Sequence, residues 1–175
     1  METFNRYIFG FNRLLDELFL RNIAIAYKEC TPDSTQYCVS SFIKNIASPI
    51  NMINFTLQGK GEKCAQTLIR FLLNTTFGVF GLIDFASFIG IEETSTSFNE
   101  TLATWGVEEG PYIMLPILGP TTLRGAYGYA FDWFFNPVRY VSIHSKSRHN
   151  RHHQFEHWYW GVTALDIINI RAGYY

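Results

Sequence analysis

The chain has 175 residues, which is enough for one domain with a core of its own. Its 14 basic and 15 acidic residues leave a formal net charge of −1, so no long-range positive field would steer it onto nucleic acid. Charged residues and aromatic residues each make up 17% of the chain. This composition suits either a large core or a surface in contact with lipid, and it slightly favours the core.

No uncharged run is long enough to cross a bilayer as a single helix. The longest runs, residues 45–59, 71–83 and 110–123, are shorter than the roughly 20 apolar residues that a spanning helix needs, and they contain Gly, Pro or Asn. The first residues lack the pattern of an export signal, which predicts either a cytoplasmic chain or one whose start has been removed. If the protein sits in a membrane, we expect a bundle or an interfacial body.

The cysteines, the histidines and the short motifs predict neither a metal centre nor an active site. Cys30, Cys38 and Cys64 form no Cys-x-x-Cys pair, so we interpret them as small buried hydrophobic residues. All five histidines lie between His144 and His157, where interleaved Lys and Arg favour a basic, solvated stretch that could lie against anionic headgroups. Without a nucleophile elbow, phosphate loop or dinucleotide fingerprint, the sequence predicts no enzyme and no cofactor.

Hydrophobic periodicity predicts helices through the first half of the chain. One amphipathic helix is expected at residues 11–28, and another begins after the break TPDS and ends before Ser48. Ser48 is the predicted N-cap, and Pro49 the predicted first residue, of a short third helix that stops at Gly59. Residues 62–76 carry the clearest helical repeat of apolar side chains.

The second half is more irregular, but it still favours an all-α fold. An almost wholly apolar run at residues 77–91 is followed by a polar stretch at residues 92–100. Residues 106–119 are rich in Gly and Pro and predict an apolar loop or hairpin. Pro120 is expected to open a helix, and residues 155–171 to form the last one. Because period-two alternation is nowhere sustained, we expect no sheet.

Two features call for a functional interpretation beside a structural one. The apolar segment at residues 110–120 is either buried under other helices or part of a lipid-facing surface, and the pattern favours neither. Arg70, Asp84 and Arg124 are charges in or beside apolar segments. Structural pairing is the favoured interpretation of these charges, because a buried charge is costly alone. The alternative is a polar lining for a headgroup path, extended by Asn45, Asn51, Asn54, Gln58 and Asn74.

Taken together and in order, several segments resemble the MlaA (VacJ) family of outer-membrane lipoproteins. The matching stretches are FNRYIFGFNRLLD, FIKNIASPINMIN followed by LQG, RFLLNTTFGVFGLIDFAS, TLATWGV and GPYIMLPILGPTTLR. Their elements Asn-x-x-x-Pro, Arg-Phe-x-x-Asn-Thr-Thr-x-Gly and Gly-Pro-Tyr-x-x-x-Pro-x-x-Gly-Pro are specific in combination. The chain departs from the family pattern at Gly125, where Asp is usual after Arg124, and at Asn99, where Gly is usual after Phe98.

The resemblance implies one all-helical domain over residues 1–175, a compact ring-like bundle of amphipathic helices embedded in or on one leaflet, with a Gly/Pro-rich apolar hairpin. It places that body at the inner leaflet of a Gram-negative outer membrane, facing the periplasm. Phospholipids mislocalised in the outer leaflet would pass through an amphipathic channel to a periplasmic carrier protein, and family members associate with trimeric porins. A lipoprotein signal, a lipidated Cys and a C-terminal tail are expected outside this sequence.

The path that this function requires has candidate residues of two kinds. Polar residues beside apolar segments are candidates for its polar side, and residues of the Gly/Pro-rich segment for its apolar side. Gly110 and Gly119 flank that segment and are the candidate hinges of a gate. The alternatives are a soluble, cytoplasmic all-α binding module with a large aromatic core, and a lipid-modifying enzyme. The path candidates are Asn51, Asn54, Gln58, Arg70, Asn74, Asp84, Tyr112, Leu115, Leu118 and Arg124.

Overall fold

The structure is a computed structural model, and it describes residues 2–135 together with residues 164, 165, 167 and 168. Residues 164, 165, 167 and 168 are helical. The rest of the helix predicted at 155–171 and the histidine stretch from His144 to His157 lie outside the described residues.

The N-terminal third is a series of helical segments. Helix α1 (Glu2–Leu15) leads into a π-helical segment (Asp16–Leu20) and then into α2 (Arg21–Cys30). The predicted helix is therefore confirmed but begins earlier than expected, because its apolar repeat already starts at Phe4. Cys30 ends α2 and is exposed, and Cys38 and Cys64 are only partly buried, so the prediction that the cysteines are buried is wrong.

Helix α3 (Asp33–Leu57) is continuous through the proline at which the sequence predicted a new helix. Ser48 is not an N-cap, and its hydroxyl instead donates to the carbonyl of Lys44 at 3.1 Å. Pro49 has no N–H and so removes one helical hydrogen bond at this point. Packing against α4 and burial of Ile50 and Phe55 in the part of α3 after the proline outweigh that local preference.

Helix α4 (Gly61–Thr76) matches its prediction closely and is followed by a tight reversal. The backbone φ is positive at Val79, Phe80 and Gly81, where the chain turns back towards α3. A short helix, α5 (Phe85–Phe88), follows, and its N-cap Asp84 accepts from the backbone N–H of Ser87 at 3.1 Å.

The hairpin predicted at the Gly/Pro-rich segment is present, and it follows α6 (Phe98–Thr104). Strands β1 (Tyr112–Leu115) and β2 (Gly119–Thr122) pair antiparallel, so the expectation of no sheet is wrong for these residues. The sequence of β2, GPTT, lacks the apolar alternation by which strands are recognised. Pro120 lies opposite Met114 in β2, so it does not open α7 (Leu123–Phe135).

Among the buried residues of the described part, polar and charged ones outnumber hydrophobic ones. Its buried hydrophobic residues are Ala24, Ile50, Phe55, Ala86 and Met114. Its buried polar and charged residues are Ser41, Asn45, Ser48, Asn54, Gln58, Thr67, Arg70, Asn74 and Thr101. Large apolar side chains face outwards, and Phe88 is 84% exposed. The mostly helical architecture is confirmed, while its closure into a ring and its place in one leaflet stay predictions.

The same inversion is visible along α4. Thr67, Arg70 and Asn74 recur at helical spacing and are buried, whereas Leu68 and Leu72 on the other face are exposed. The apolar stripe that identified this helix in the sequence therefore points away from the protein interior. None of the described helices is both long and apolar enough to span a bilayer.

Candidate functional site

A polar cavity of about 190 Å³ lies between the inward faces of α3 and α4. The buried side chains Thr67, Arg70 and Asn74 line it from α4, and the loop at residues 93–95 lines it from the side. From α3 it is lined by Ser41, Lys44, Asn45, Ala47, Ser48 and Asn51. We refer to this space, with Asp84 and its neighbours at one side, as the polar cavity.

The Arg70–Asp84 ion pair is the most buried charged contact in the described residues. One guanidinium nitrogen of Arg70 lies 2.9 and 2.8 Å from the two carboxylate oxygens of Asp84. The two side chains are only 9% and 12% exposed. The other terminal nitrogen donates to the hydroxyl of Ser87 at 3.2 Å and to the carbonyl of Ile91. The pair thus ties α4 to the segment around α5.

Further hydrogen bonds keep Asp84 ionised. Burial alone would raise its pKa, but hydrogen bonds from Ser87, Asn74 and Arg70 outweigh burial and hold the pKa below its ordinary value. The side-chain amide of Asn74 donates to Asp84 at 3.0 Å, and its oxygen accepts from the backbone N–H of Ala86 at 2.8 Å. The structural pairing favoured from the sequence is therefore present at Arg70 and Asp84.

Asn45 borders the cavity and is held by the end of α4 and the turn after it. Its amide nitrogen donates to the Thr75 hydroxyl at 3.1 Å and to the carbonyl of Phe80 at 3.4 Å. Its Oδ1 atom is buried and has no hydrogen-bond partner among the described residues. Gly81 packs directly against this side chain, since a Cβ placed on Gly81 would lie 2.5 Å from it. The close packing fixes the orientation of Asn45.

Opposite charges also meet at the rim of the polar cavity. The ammonium of Lys44 lies 2.9 Å from a carboxylate oxygen of Glu93, and the two side chains are 56% and 39% exposed. Solvent screens such a pair, so it contributes little to stability. Because this pair lies at the rim, a molecule that entered the cavity would contact it.

A second polar cluster joins α3 to α6 and α7. Asn54 is fully buried, donates to Asp132 at 2.8 Å and accepts from the Thr101 hydroxyl at 3.1 Å. Asp132 also accepts from the backbone N–H of Phe98 at 3.0 Å. Burial raises the pKa of Asp132, and the charge of Glu100 adds to this, against the hydrogen bonds from Asn54 and Phe98.

Gln58 extends this second cluster towards the polar loop. Its amide nitrogen donates to the hydroxyls of Thr96 and Thr101 at 2.7 and 3.1 Å. Asn51 accepts from the backbone N–H of Thr96 at 3.3 Å and also borders the polar cavity. Asn51 therefore lies between the two clusters.

Arg124 has a separate set of partners. Its guanidinium donates to Asn99 Oδ1 at 2.9 Å, to the carbonyl of Val107 at 2.8 Å and to Glu109 at 3.1 Å. Asn99, one of the two departures from the family pattern, thus pairs with Arg124. At the other departure, a Cβ on Gly125 would lie 2.2 Å from the Thr121 hydroxyl, so the usual Asp would require the Thr121 side chain to move.

Two asparagines of α1 hold the hairpin. Asn5 donates to the carbonyl of Tyr112 and accepts from the backbone N–H of Met114, both at 3.1 Å. Asn12 donates to the carbonyl of Leu115 at 2.9 Å and accepts from the N–H of Ile117, also at 2.9 Å. Each side-chain amide therefore makes a pair of hydrogen bonds with the hairpin backbone.

The outer surface of the hairpin is apolar. Tyr112 and Leu118 are more than half exposed, and Leu115 is partly exposed. Of the two interpretations left open for this segment, exposure favours the lipid-facing surface over burial. Gly110 and Gly119, the predicted hinges, both have positive φ. The segment before β1 is nonetheless held by the start of α7, because Arg124 N–H donates to the carbonyl of Glu109 at 3.1 Å.

The structure divides the predicted path residues into four groups. The polar cavity brings together Asn51, Arg70, Asn74 and Asp84. Asn54 and Gln58 lie in the second cluster, Arg124 is separate, and the hairpin carries Tyr112, Leu115 and Leu118. Their part in a lipid path stays a prediction.

Sequence reasoning did not single out several residues that the geometry makes prominent. Asp132 lies within an aromatic run of α7. It could have been identified from the sequence, because a single charge among apolar residues predicts a buried polar contact. Lys44 and Glu93 are separated by 49 positions and look like ordinary surface charges in sequence. The same is true of Asn5 and Asn12, whose contacts with the hairpin are more than 100 positions away along the chain.

Comparison with known proteins places these features in a family. A family model described as MlaA lipoprotein matches residues 1–175. An uncharacterised protein of Rickettsia typhi is 40% identical over 171 residues, covering 97% of this chain and 63% of that protein. The intermembrane phospholipid transport system lipoprotein MlaA of Escherichia coli is 35% identical over 146 residues, covering 81% of this chain and 58% of that protein.

The fold is also similar to that of a solved structure. It comes from work on the structural basis for maintenance of bacterial outer membrane lipid asymmetry. The two chains superpose with a TM-score of 0.64 at 28% identity, covering 95% of this chain and 97% of the other. The chain spans only 62% of the length of a similar Rickettsia prowazekii protein, so the relatives contain sequence that has no counterpart here.

Proposed function

The chain belongs to the MlaA lipoprotein family, and we propose that it moves phospholipids between membranes without changing them chemically. A relative in Escherichia coli is named as a lipoprotein of an intermembrane phospholipid transport system. The proposed site of action is the outer membrane, where the protein removes mislocalised phospholipids from the outer leaflet. We further propose that it lies in the inner leaflet and acts with a periplasmic carrier protein and a trimeric porin.

The observation that carries this proposal is the inverted polarity of the described fold. In a protein surrounded by water, burying an apolar side chain gains about 25 cal/mol per Å², so an exposed phenylalanine forgoes that gain. In hydrocarbon the preference is reversed, and polar residues turn towards the protein interior or a water-filled space. Phe80 is 73% exposed while Arg70 and Asn74 are buried, which suits a body surrounded by lipid.

The physical task explains why such a body would be needed. A phospholipid with two sixteen-carbon tails has about 30 methylenes, and transfer into water costs about 0.8 kcal/mol for each. A barrier of about 25 kcal/mol corresponds to a rate on the order of 10⁻⁶ per second. Moving the headgroup through hydrocarbon is also costly. A protein that offers a polar face beside an apolar one lowers both barriers.

The described residues supply both faces. The polar cavity is the proposed headgroup side, with Asn51 connecting it to Asn54 and Gln58. The hairpin and the exposed phenylalanines around α5 are the proposed tail side. We propose that transport at this step is passive and that the affinity of the carrier sets its direction.

Lipid extraction from the purified chain tests the proposal. The protein is purified in detergent, bound lipid is extracted and identified by mass spectrometry, and transfer of labelled phospholipid from donor vesicles to a periplasmic carrier is followed. We expect intact phospholipid in the extract and accelerated transfer without new lipid products. A monodisperse protein that needs no detergent and carries no lipid would instead support a soluble binding module, and phospholipid breakdown would support an enzyme.

A further inference from the structure

We propose that the polar cavity selects headgroups that carry a phosphodiester and an ammonium group, and so are zwitterionic, over headgroups with a net negative charge. This inference rests on the proposed function, because it assigns a substrate class to the headgroup side of the same path. It is carried by the balance of charges around the cavity, by the remaining N–H donors of Lys44 at its rim and by its size.

The charged residues that line the cavity cancel. Two are cationic, Lys44 and Arg70, and two are anionic, Asp84 and Glu93. Each cation lies within 2.9 Å of an anion, so no positive charge remains to offset the loss of water around a net anion. A phosphodiester with an ammonium group has the same overall neutrality and presents one charge of each sign.

Lys44 and Glu93 at the rim offer a separate partner to each of the two charges of such a headgroup. A lysine ammonium has three N–H donors, and Glu93 is the one partner of Lys44 found among the described residues. Phosphate oxygens would accept from the remaining donors of Lys44, and the ligand ammonium would lie against Glu93. At the inner wall Arg70 is already satisfied by Asp84, Ser87 and Ile91, so it is not available as a phosphate clamp.

The size of the cavity fits a headgroup as well. The cavity of about 190 Å³ holds the equivalent of roughly six waters, which is the size of a headgroup and too small for acyl tails.

The test measures which lipid the whole chain retains from a defined mixture. The protein is equilibrated in nanodiscs with equal amounts of phosphatidylethanolamine and phosphatidylglycerol, and the bound fraction is quantified by mass spectrometry. We expect enrichment of phosphatidylethanolamine over the bulk ratio. Glu93→Gln leaves the cavity with a net positive charge and is expected to shift the bound ratio towards phosphatidylglycerol by about fivefold. Lys44→Gln is expected to shift it the other way.

Two controls separate this mechanism from a general charge effect. Glu17→Gln removes the same charge from an exposed ion pair with Arg13 on the first helical segments, away from the cavity lining, and should leave the ratio unchanged. The double variant K44E/E93K restores a neutral rim and should retain the preference of the original chain. Equal thermal midpoints for all variants show that the fold is intact.

The outcomes distinguish the inference from the proposed function. A bound ratio equal to the bulk ratio, or equal shifts in Glu93→Gln and Glu17→Gln, would overturn the headgroup preference while transfer activity persists. If the unsubstituted protein retains no lipid at all, the proposed function is overturned as well. Soluble glycerophosphoethanolamine serves as a competitor. If it displaces the bound lipid, the cavity recognises the headgroup alone. If the bound lipid stays and its ratio still differs from the bulk ratio, recognition requires the lipid with its tails.

Discussion

Replacing Asp84 with alanine is expected to lower the free energy of unfolding by about 3–5 kcal/mol, because it leaves a buried guanidinium without its carboxylate. Arg70 is only 7% exposed, so solvent can compensate little for the lost carboxylate. The loss also removes the N-cap of α5 and the acceptor for Asn74. Chemical unfolding in detergent micelles, followed by tryptophan fluorescence, measures the change.

The pH dependence of the same variant gives a second readout. The pKa of Asp84 is lowered in the folded protein, so the stability it contributes is present above the pKa of an unfolded Asp and disappears as pH falls through the folded pKa. Asp84→Ala should therefore lose this part of the acid dependence. Glu17→Ala, which breaks an exposed pair, serves as the control and should cost at most about 1 kcal/mol. Equal losses in the two variants would contradict a stabilising buried pair.

Tethering the hairpin to α1 is expected to abolish lipid transfer if the hairpin acts as a gate. Asn12 already contacts the backbone of Leu115 and Ile117 at 2.9 Å, so cysteines at positions 12 and 117 would lie close enough for a short bismaleimide cross-link. In a background in which Cys30, Cys38 and Cys64 are replaced by serine, transfer of labelled phospholipid to the carrier is compared before and after cross-linking. We expect a loss of roughly tenfold or more in the transfer rate, because a fixed gate blocks entry of the lipid.

A matched reagent controls for chemical modification at the same two cysteines. A long, flexible bismaleimide couples them but permits the hairpin to move, so transfer should be retained. A cross-link between positions 113 and 121, which face each other across the hairpin, joins its strands without fixing it to α1 and should also be tolerated. Unchanged transfer with the short cross-link would argue against the gate and leave Gly110 and Gly119 without a hinge role.

The fold was predictable where helical periodicity is strong and less so where tertiary contacts override local preference. The bounds of α4 follow from its apolar repeat, but the direction of that repeat does not, because an apolar stripe looks the same facing a core or a lipid. Pro49 is a reasonable helix start in isolation, and only the packing of α3 against α4 keeps the helix intact. In β2, a strand without apolar alternation gave no signal.

The site was predictable only in part, for a related reason. Arg70 and Asp84 stand out as charges in apolar surroundings, which is a signal that needs no structure. Their partnership, and the meeting of Lys44 with Glu93, depend on the crossing of α3, α4 and the loop after α5. Pairing over such separations is not encoded in any local pattern. The asparagine contacts between α1 and the hairpin belong to the same class.

We propose that the described fold turns its exposed apolar side chains towards lipid and its buried polar ones towards an interior path. Spin labels at outward positions Leu72 and Phe88 and at cavity positions Asn51 and Ser95 test it by power saturation in lipid vesicles. We predict that labels at 72 and 88 relax mainly with oxygen, which concentrates in hydrocarbon, and labels at 51 and 95 with a water-soluble nickel chelate. Higher nickel accessibility at 72 and 88 than at 51 and 95 would contradict the account.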